Sequence, residues 1–326
     1  MYAIHVQSDQ PDRPLVWQET ADPTCGPDEV LVDIHATALN RADLLQRAGN
    51  YPPPPGAPEI IGLEMAGVIV SVGSHVRNWK VGDRVCALLG GGGYAERVAV
   101  HYSQLMPIPN GWSFVEGAAL PEVFLTVFVN LFMEARLQPG ETVLVHGGAS
   151  GIGTAAIQML HNLGHKVMVT AGSEAKVAVC RELGADLAIN YREEDFVEAV
   201  QAFTKGRGVD VILDMVGANY FDRNFELLRT RGRIVFIATL GGNEVTVDIG
   251  KLMRKRARLI GSVLRPRTWE EKQEIKDSFM NRCWPMIQRG VMRPVIDSTF
   301  PIAEANAAHA RMANNENIGK IVLLVR

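Results

Sequence analysis

The residues best placed to do chemistry stand in one stretch, Val143-Leu144-Val145-His146-Gly147-Gly148-Ala149-Ser150-Gly151-Ile152-Gly153-Thr154-Ala155-Ala156. Gly151, Gly153 and Ala156 form G-x-G-x-x-A between an apolar run and an amphipathic one. Small residues at that spacing let the backbone turn tightly, a pyrophosphate approach, and helix and strand pack closely. A helix opening there turns free N–H groups and a positive dipole end toward phosphates. The spacing alone also suits a plain packing turn. Its strand-turn-helix context favours a dinucleotide.

An NAD site usually carries Asp or Glu at the end of the next strand, about 20 residues on, for the ribose hydroxyls. Here that strand ends Thr170-Ala171-Gly172-Ser173. Ser173 offers a hydrogen bond and Lys176 a compact positive charge, which favours the 2′-phosphate of NADPH. Glu174 argues the other way unless it points outward at its helix start. Lys176 is otherwise a solvated helix residue. No metal-ligand cluster and no Ser/His/Asp arrangement is legible, and His146 reads as a loop or core residue.

The elements around this stretch alternate. Strands are expected at Thr142–His146, 167–170, Leu187–Asn190, Val209–Asp214, 234–238 and 259–264, with helices between them. That pattern predicts six parallel strands covered on both faces, a doubly wound dinucleotide fold. The first 120 or so residues read instead as β-rich, with short β-branched runs between Gly and Pro turns. Prolines 52 to 55 and 58 make the stretch after Tyr51 a stiff loop. A long amphipathic helix is expected from Trp269 to Gln288, then a helix over 303–313 and a final strand over 320–325.

With 326 residues, 47% of them hydrophobic, the chain suits two domains with large cores. A net charge of −3 and a pI near 6.3 do not suggest a generic nucleic-acid or acidic-membrane binder. The basic run Arg254-Lys255-Arg256-Ala257-Arg258 reads as a charge-guarded strand edge. The N-terminus shows no secretory pattern, and no run reaches the roughly 18 apolar residues of a spanning helix. Cys25, Cys86, Cys180 and Cys283 are scattered, which argues against disulfides and structural zinc and for a cytoplasmic protein.

Several further motifs carry a family resemblance. Gly62-Leu63-Glu64-Met65-Ala66-Gly67, Val72-Gly73, Val81-Gly82-Asp83-Arg84-Val85, Asn40-Arg41-Ala42-Asp43, Leu183-Gly184-Ala185 and Asn317-Ile318-Gly319-Lys320 together resemble the medium-chain dehydrogenase/reductases, over nearly the whole chain. The match is to the zinc-free quinone oxidoreductase branch. Within it, Pro53-Pro54-Pro55-Gly56-Ala57 and Gly153-Thr154-Ala155-Ala156-Ile157-Gln158 resemble the subgroup of the tumour-suppressor-inducible quinone oxidoreductase. The zinc-dependent relatives carry Cys where Asn40 stands and Gly-His-Glu where this chain has Gly62-Leu63-Glu64, so a tetrahedral zinc site is not expected.

The resemblance implies an α/β protein with a GroES-like β-rich domain, 1–122 and 266–326, plus a Rossmann domain of six parallel strands, 123–265. It implies NADPH as cofactor, with the nicotinamide in a cleft between the domains. Asn40, Tyr51 and Thr126 are the catalytic candidates. Asn40, Asp43, Thr126, Ser150, Gly151, Ile152, Gly153, Ser173, Lys176, Tyr191, Phe236, Ala238, Thr239, Val263, Leu264, Arg265 and Asn317 are the candidate cofactor contacts. Asn40 and Asp43 could instead hold one another, and Tyr51 could be an ordinary amphipathic loop residue.

The expected activity is hydride transfer from NADPH to a quinone. The alternatives are an NADPH-dependent enone or enoyl reductase and an NADPH-binding structural or RNA-binding protein. A homodimer through the edge strand near 259–264 is also implied.

Overall fold

A computed structural model of the chain describes residues 1–326. The fold is α/β, in two units: Met1–Leu125 with Leu264–Gln288 and Arg293–Arg326, and Thr126–Val263 with Arg289–Met292.

The first unit opens with the antiparallel pair β1 (Tyr2–Val6) and β2 (Leu15–Glu19). Strands β3 (Glu29–Ala38), β4 (Glu64–Val72), β5 (Arg84–Leu88), β6 (Arg97–His101) and β7 (Leu105–Pro107) then build an antiparallel sheet. Val30, Val32 and Ile34 alternate inward along β3, because a sheet with one packed face buries every second residue. Gly67 lets β4 close onto β3: a Cβ there would stand 2.1 Å from the carbonyl oxygen of Asp33. Helix α1 (Arg41–Arg47) follows β3, and the proline-rich stretch after Tyr51 is a loop without helix or strand. Helix α2 (Phe114–Ala118) and the start of α3 (Pro121–Phe128) belong to this unit; the end of α3 and the π-helical turn Val129–Glu134 belong to the second.

The second unit alternates strand and helix: β8 (Thr142–His146), α4 (Gly151–Asn162), β9 (Lys166–Ala171), α5 (Glu174–Glu182), β10 (Leu187–Asn190), α6 (Phe196–Thr204), β11 (Val209–Asp214), α7 (Phe221–Leu227), β12 (Leu228–Phe236), α8 (Ile249–Lys255) and β13 (Arg258–Gly261). All six strands are parallel in the order β10-β9-β8-β11-β12-β13. That is the doubly wound order, with its strand-order reversal beside β8. Both faces of the central strands are covered, so β11 is buried at every residue. Leu144, Met168, Ile212, Phe196 and Ile234 form the core that fixes the strand ends. Burying one such side chain stabilises the fold by about 1.5–3 kcal/mol.

The chain then forms α9 (Trp269–Gln288), β14 (Ile296–Pro301), α10 (Ala305–Ala313) and β15 (Lys320–Leu324). β15 pairs with β3, so the last segment belongs to the first unit's sheet.

Three expectations need correction. The strand expected over 234–238 is β12, which starts at Leu228 and ends at Phe236. Its neighbour β11 stops at Asp214, where Ile237 donates the last backbone bond. The edge strand expected over 259–264 is Arg258–Gly261, because its only neighbour in the sheet, β12, ends at Phe236. Finally, Phe114–Glu134 is long and apolar enough to span a membrane by length and composition, and 78% of that window is buried inside the fold.

Candidate functional site

The turn after β8 is built for close backbone approach. Gly147 has φ +72°, and a Cβ on Gly153 would stand 2.3 Å from the carbonyl oxygen of Gly147. Ser150 caps α4: its hydroxyl oxygen accepts the Gly153 N–H at 3.0 Å. The N–H groups of Gly151 and Ile152 lie in the first turn of a twelve-residue helix, where no preceding carbonyl can reach them. They and the dipole suit a diphosphate. The residues thus fit a nicotinamide dinucleotide on geometry.

His146, at the end of β8, is buried and hydrogen-bonds Thr170 Oγ1 at 3.0 Å and Asn224 Oδ1 at 2.8 Å. Burial pushes its pKa down, so it is a neutral strut. Asn224 in turn donates to Asp214 Oδ2 at 3.0 Å, and Asp214 also receives the backbone N–H groups of Val216 and Gly217. These residues fix the strand ends and leave the chemistry to others.

At the end of β9, the Ser173 oxygen accepts the Lys176 N–H at 3.4 Å and caps α5, while its own hydroxyl hydrogen is left to donate. Tyr191 is 42% exposed and folds over the preceding glycine: a Cβ on Gly172 would meet its hydroxyl at 2.7 Å. Ser173 and Tyr191 therefore share one small surface at the ends of β9 and β10. Glu174 is turned along its helix to Arg181, 3.0 Å away. Phe236 ends β12, and Ala238 and Thr239 lie just beyond it, so these residues also stand at carboxyl ends of the parallel strands.

In the first unit Asn40 precedes α1 and is buried. Its Nδ2 donates to Glu64 Oε1 at 2.9 Å and its Oδ1 accepts the Lys320 ammonium at 2.6 Å. Lys320 also donates to Glu64 Oε1 at 2.7 Å and to the Leu39 carbonyl at 2.6 Å. The other Glu64 oxygen receives the Glu122 N–H, at the start of α3, at 2.8 Å. With an amide and an ammonium-paired carboxylate in place of thiolate and imidazole donors, these residues do not fit a zinc ion.

Asp43 has no exposed surface. Its Oδ2 accepts the Asn40 N–H at 2.7 Å and lies 3.4 Å from the Tyr94 hydroxyl, which meets His309 Nε2 at 3.1 Å. Burial pushes the Asp43 carboxyl up to about 7, against the Asn40 N–H and the Lys320 charge. Burial also takes His309 down to about 3.

Tyr51 opens the proline loop half-buried, with the Arg265 guanidinium carbon 5.2 Å from its ring centroid. Arg265 donates to Gly90 O, Tyr51 O and Gln46 Oε1. Burial raises the Tyr51 pKa, opposed by Arg265, so the phenol keeps its proton. Thr126 is buried, and its carbonyl accepts Asn130 Nδ2 at 2.7 Å. Val263 is exposed and Leu264 half-buried, while Asn317 turns inward to the Gly319 carbonyl at 2.8 Å.

Glu64 and Lys320 join the site without having been expected there, although both stand in motifs that carry the resemblance. Tyr94 and His309 have no signal of their own in the sequence.

Residues 26–110 match the family described as the alcohol dehydrogenase GroES-like domain, and residues 151–278 the family described as zinc-binding dehydrogenase. The quinone oxidoreductase of Mus musculus is 34% identical, over 91% of this chain and 89% of its own length. That of Rattus norvegicus is 33% identical with the same coverage. This chain belongs to the quinone oxidoreductase branch of the medium-chain dehydrogenase/reductases. Among solved structures, the Escherichia coli quinone oxidoreductase complexed with NADPH superposes with a TM-score of 0.88 at 29% identity, covering 99% of this chain and 100% of the other. The ER cyclopropanase CurF of curacin A biosynthesis superposes with a TM-score of 0.86 at 26% identity, covering 99% and 98%. As a member of that branch, the chain is an oxidoreductase with a GroES-like unit and a fold that binds a nicotinamide cofactor.

Proposed function

We propose that this oxidoreductase transfers a hydride from NADPH to a quinone. The observation that carries the cofactor choice is the end of β9. Ser173 and Tyr191 present hydroxyls there, and the carboxylate next to Ser173, Glu174, is held by Arg181. A carboxylate facing the ribose would repel a 2′-phosphate. Lys176 adds positive charge one helical turn on. The quinone as acceptor is supported by the activity for which the relatives are named.

NADPH supplies the hydride when bound. The chain's own part is to hold and screen. The turn at 150–153 takes the diphosphate; the candidates for the nicotinamide half are Phe236, Ala238, Thr239 and Val263 in the second unit and Leu264, Arg265 and Asn317 in the first. The catalytic candidates are Asn40 and Tyr51 in the first unit and Thr126 in the second; the Asn40 amide is held by Glu64 and Lys320, which leaves the Tyr51 phenol as the group offered to the reacting ring. The protonated Tyr51 phenol donates a hydrogen bond to the oxyanion as charge develops. A quinone becomes a stable phenolate on reduction, so water suffices as proton source. We further propose a cytoplasmic homodimer that pairs β13 across a two-fold axis, which would cover an open strand edge.

Purified protein titrated with NADPH and NADH, then supplied with an ortho-quinone, a para-quinone and an enone, tests the reading. NADPH preference and quinone turnover are expected. Turnover of the enone alone would assign the C=C reductase reading, to which the cyclopropanase relative gives some support. Tight NADPH binding with no turnover of any acceptor would assign a structural role.

A further inference from the structure

The amino ends of the parallel strands, opposite the Gly147–Gly153 turn, carry a second polar hollow. A cavity of about 380 Å³ is lined there by Arg136, Arg231, Arg233 and Arg258 against two carboxylates, Glu141 and Asp210. Both carboxylates are already committed. Glu141 takes the buried Arg233 through two bonds, 2.8 and 2.6 Å. Asp210 holds Arg229 at 2.9 Å together with the Thr142 N–H and hydroxyl. Arg136, Arg231 and Arg258 are exposed and have no carboxylate partner in the chain.

Backbone geometry adds an independent sign. Arg136 has φ +51° and Arg231 +67°, the left-handed region where glycine is the ordinary choice. Lys205 and Arg256 share that conformation, but both cap helix carboxyl ends, where a cation complements the dipole. Arg136 follows the π-helical turn in the same way. Arg231 lies in β12 at the bulge between the residues paired with Val209 and Val211, where a cation complements no helix end. Neighbouring Lys255, by contrast, is consumed by the carbonyls of Phe225, Glu226 and Leu228 and adds nothing to the hollow.

Like charges gathered in one hollow repel unless they share an anion. Guanidinium forks match the oxygen pairs of phosphoryl and carboxylate groups. We propose that this hollow is a binding site for a small multivalent oxyanion, separate from the dinucleotide turn.

Thermal unfolding with saturating NADP⁺ present, in sodium phosphate or citrate against sodium chloride at equal ionic strength, tests the site. A ligand that binds the folded state raises the melting temperature with concentration. Phosphate or citrate is expected to do so beyond chloride, and the more effective of the two names the ligand's chemistry. Arg231→Gly and Arg136→Gly relieve backbone strain, so both should fold. Their combination should abolish the shift and leave NADPH titration unchanged. Arg258→Gln, on the strand edge, should weaken the shift independently. An anion shift that survives in the double variant, disappears when NADP⁺ is added to the wild type, or is matched by chloride would overturn the proposal.

Discussion

The Lys320 ammonium stands 2.6 Å from Asn40 Oδ1 and 2.7 Å from Glu64 Oε1, wholly inside the protein. One lysine thereby ties β15, β4 and the entry to α1, and sets the rotamer of a candidate site residue. Removing one partner of a buried ion pair leaves an uncompensated charge, which costs about 3–5 kcal/mol. Lys320→Met should therefore lose stability on that order in urea unfolding. The double change Lys320→Met/Glu64→Gln should recover part of it, because the orphaned carboxylate is gone. Equal stability of the single variant and wild type would remove Lys320 from this role.

Gly153→Ala should cripple cofactor binding with little change elsewhere in the sheet. The added Cβ would press on the Gly147 carbonyl at 2.3 Å, so the turn must open where a diphosphate is expected. A loss of tenfold or more in NADPH affinity, about 1.4 kcal/mol, is expected from fluorescence titration.

Cofactor preference should move with the end of β9. Ser173→Asp places a carboxylate where the hydroxyl now stands and should shift the NADPH-to-NADH ratio of kcat/KM toward NADH by about 1–3 kcal/mol. Lys176→Glu should act in the same direction. Unchanged preference in both variants would place the 2′-phosphate elsewhere.

Tyr51→Phe and Tyr51→Ala separate the phenol from the ring. The ring lies under the Arg265 guanidinium, a contact worth about 0.5–2 kcal/mol. Tyr51→Phe keeps it and should lower quinone kcat/KM modestly. Tyr51→Ala loses it as well and should do so further, with a rise in KM. Steady-state kinetics on one quinone reads both.

Asp43 and His309 should impose opposite pH slopes on stability. The folded state holds the Asp43 carboxyl up to about 7 from an ordinary 3.8, so it binds more protons than the unfolded chain. Stability from this group is full below about 4 and declines as pH rises through about 7. His309 is taken from 6.5 down to about 3, so its contribution is present above 6.5 and declines as pH falls toward 3. A tenfold change in proton affinity between folded and unfolded chain is worth about 1.4 kcal/mol. Asp43→Asn should flatten the loss between pH 4 and 7, and His309→Phe the loss between pH 6.5 and 3, in urea unfolding at stepped pH.

Much of the second unit was legible because its signals are local. A buried strand, a glycine turn and a helix start are consecutive residues, so β8, the 147–153 turn and α4 could be read directly. The ends of β12 and β13 were misplaced because a strand stops where its neighbour stops, and pairing is not local. The Asn40–Asp43 bond was within reach, since three residues separate an amide and a carboxylate at a helix start.

By itself the sequence determined the alternating α/β order, the small-residue turn that only a close backbone approach explains, and the lack of an acidic residue closing β9. Tertiary structure alone decided what surrounds Asn40. Its partners Glu64 and Lys320 lie 24 and 280 residues away, and no periodicity or propensity links positions so distant. Only pairing of β15 with β3 brings the lysine there, and only burial makes its charge a strut rather than a solvated surface group.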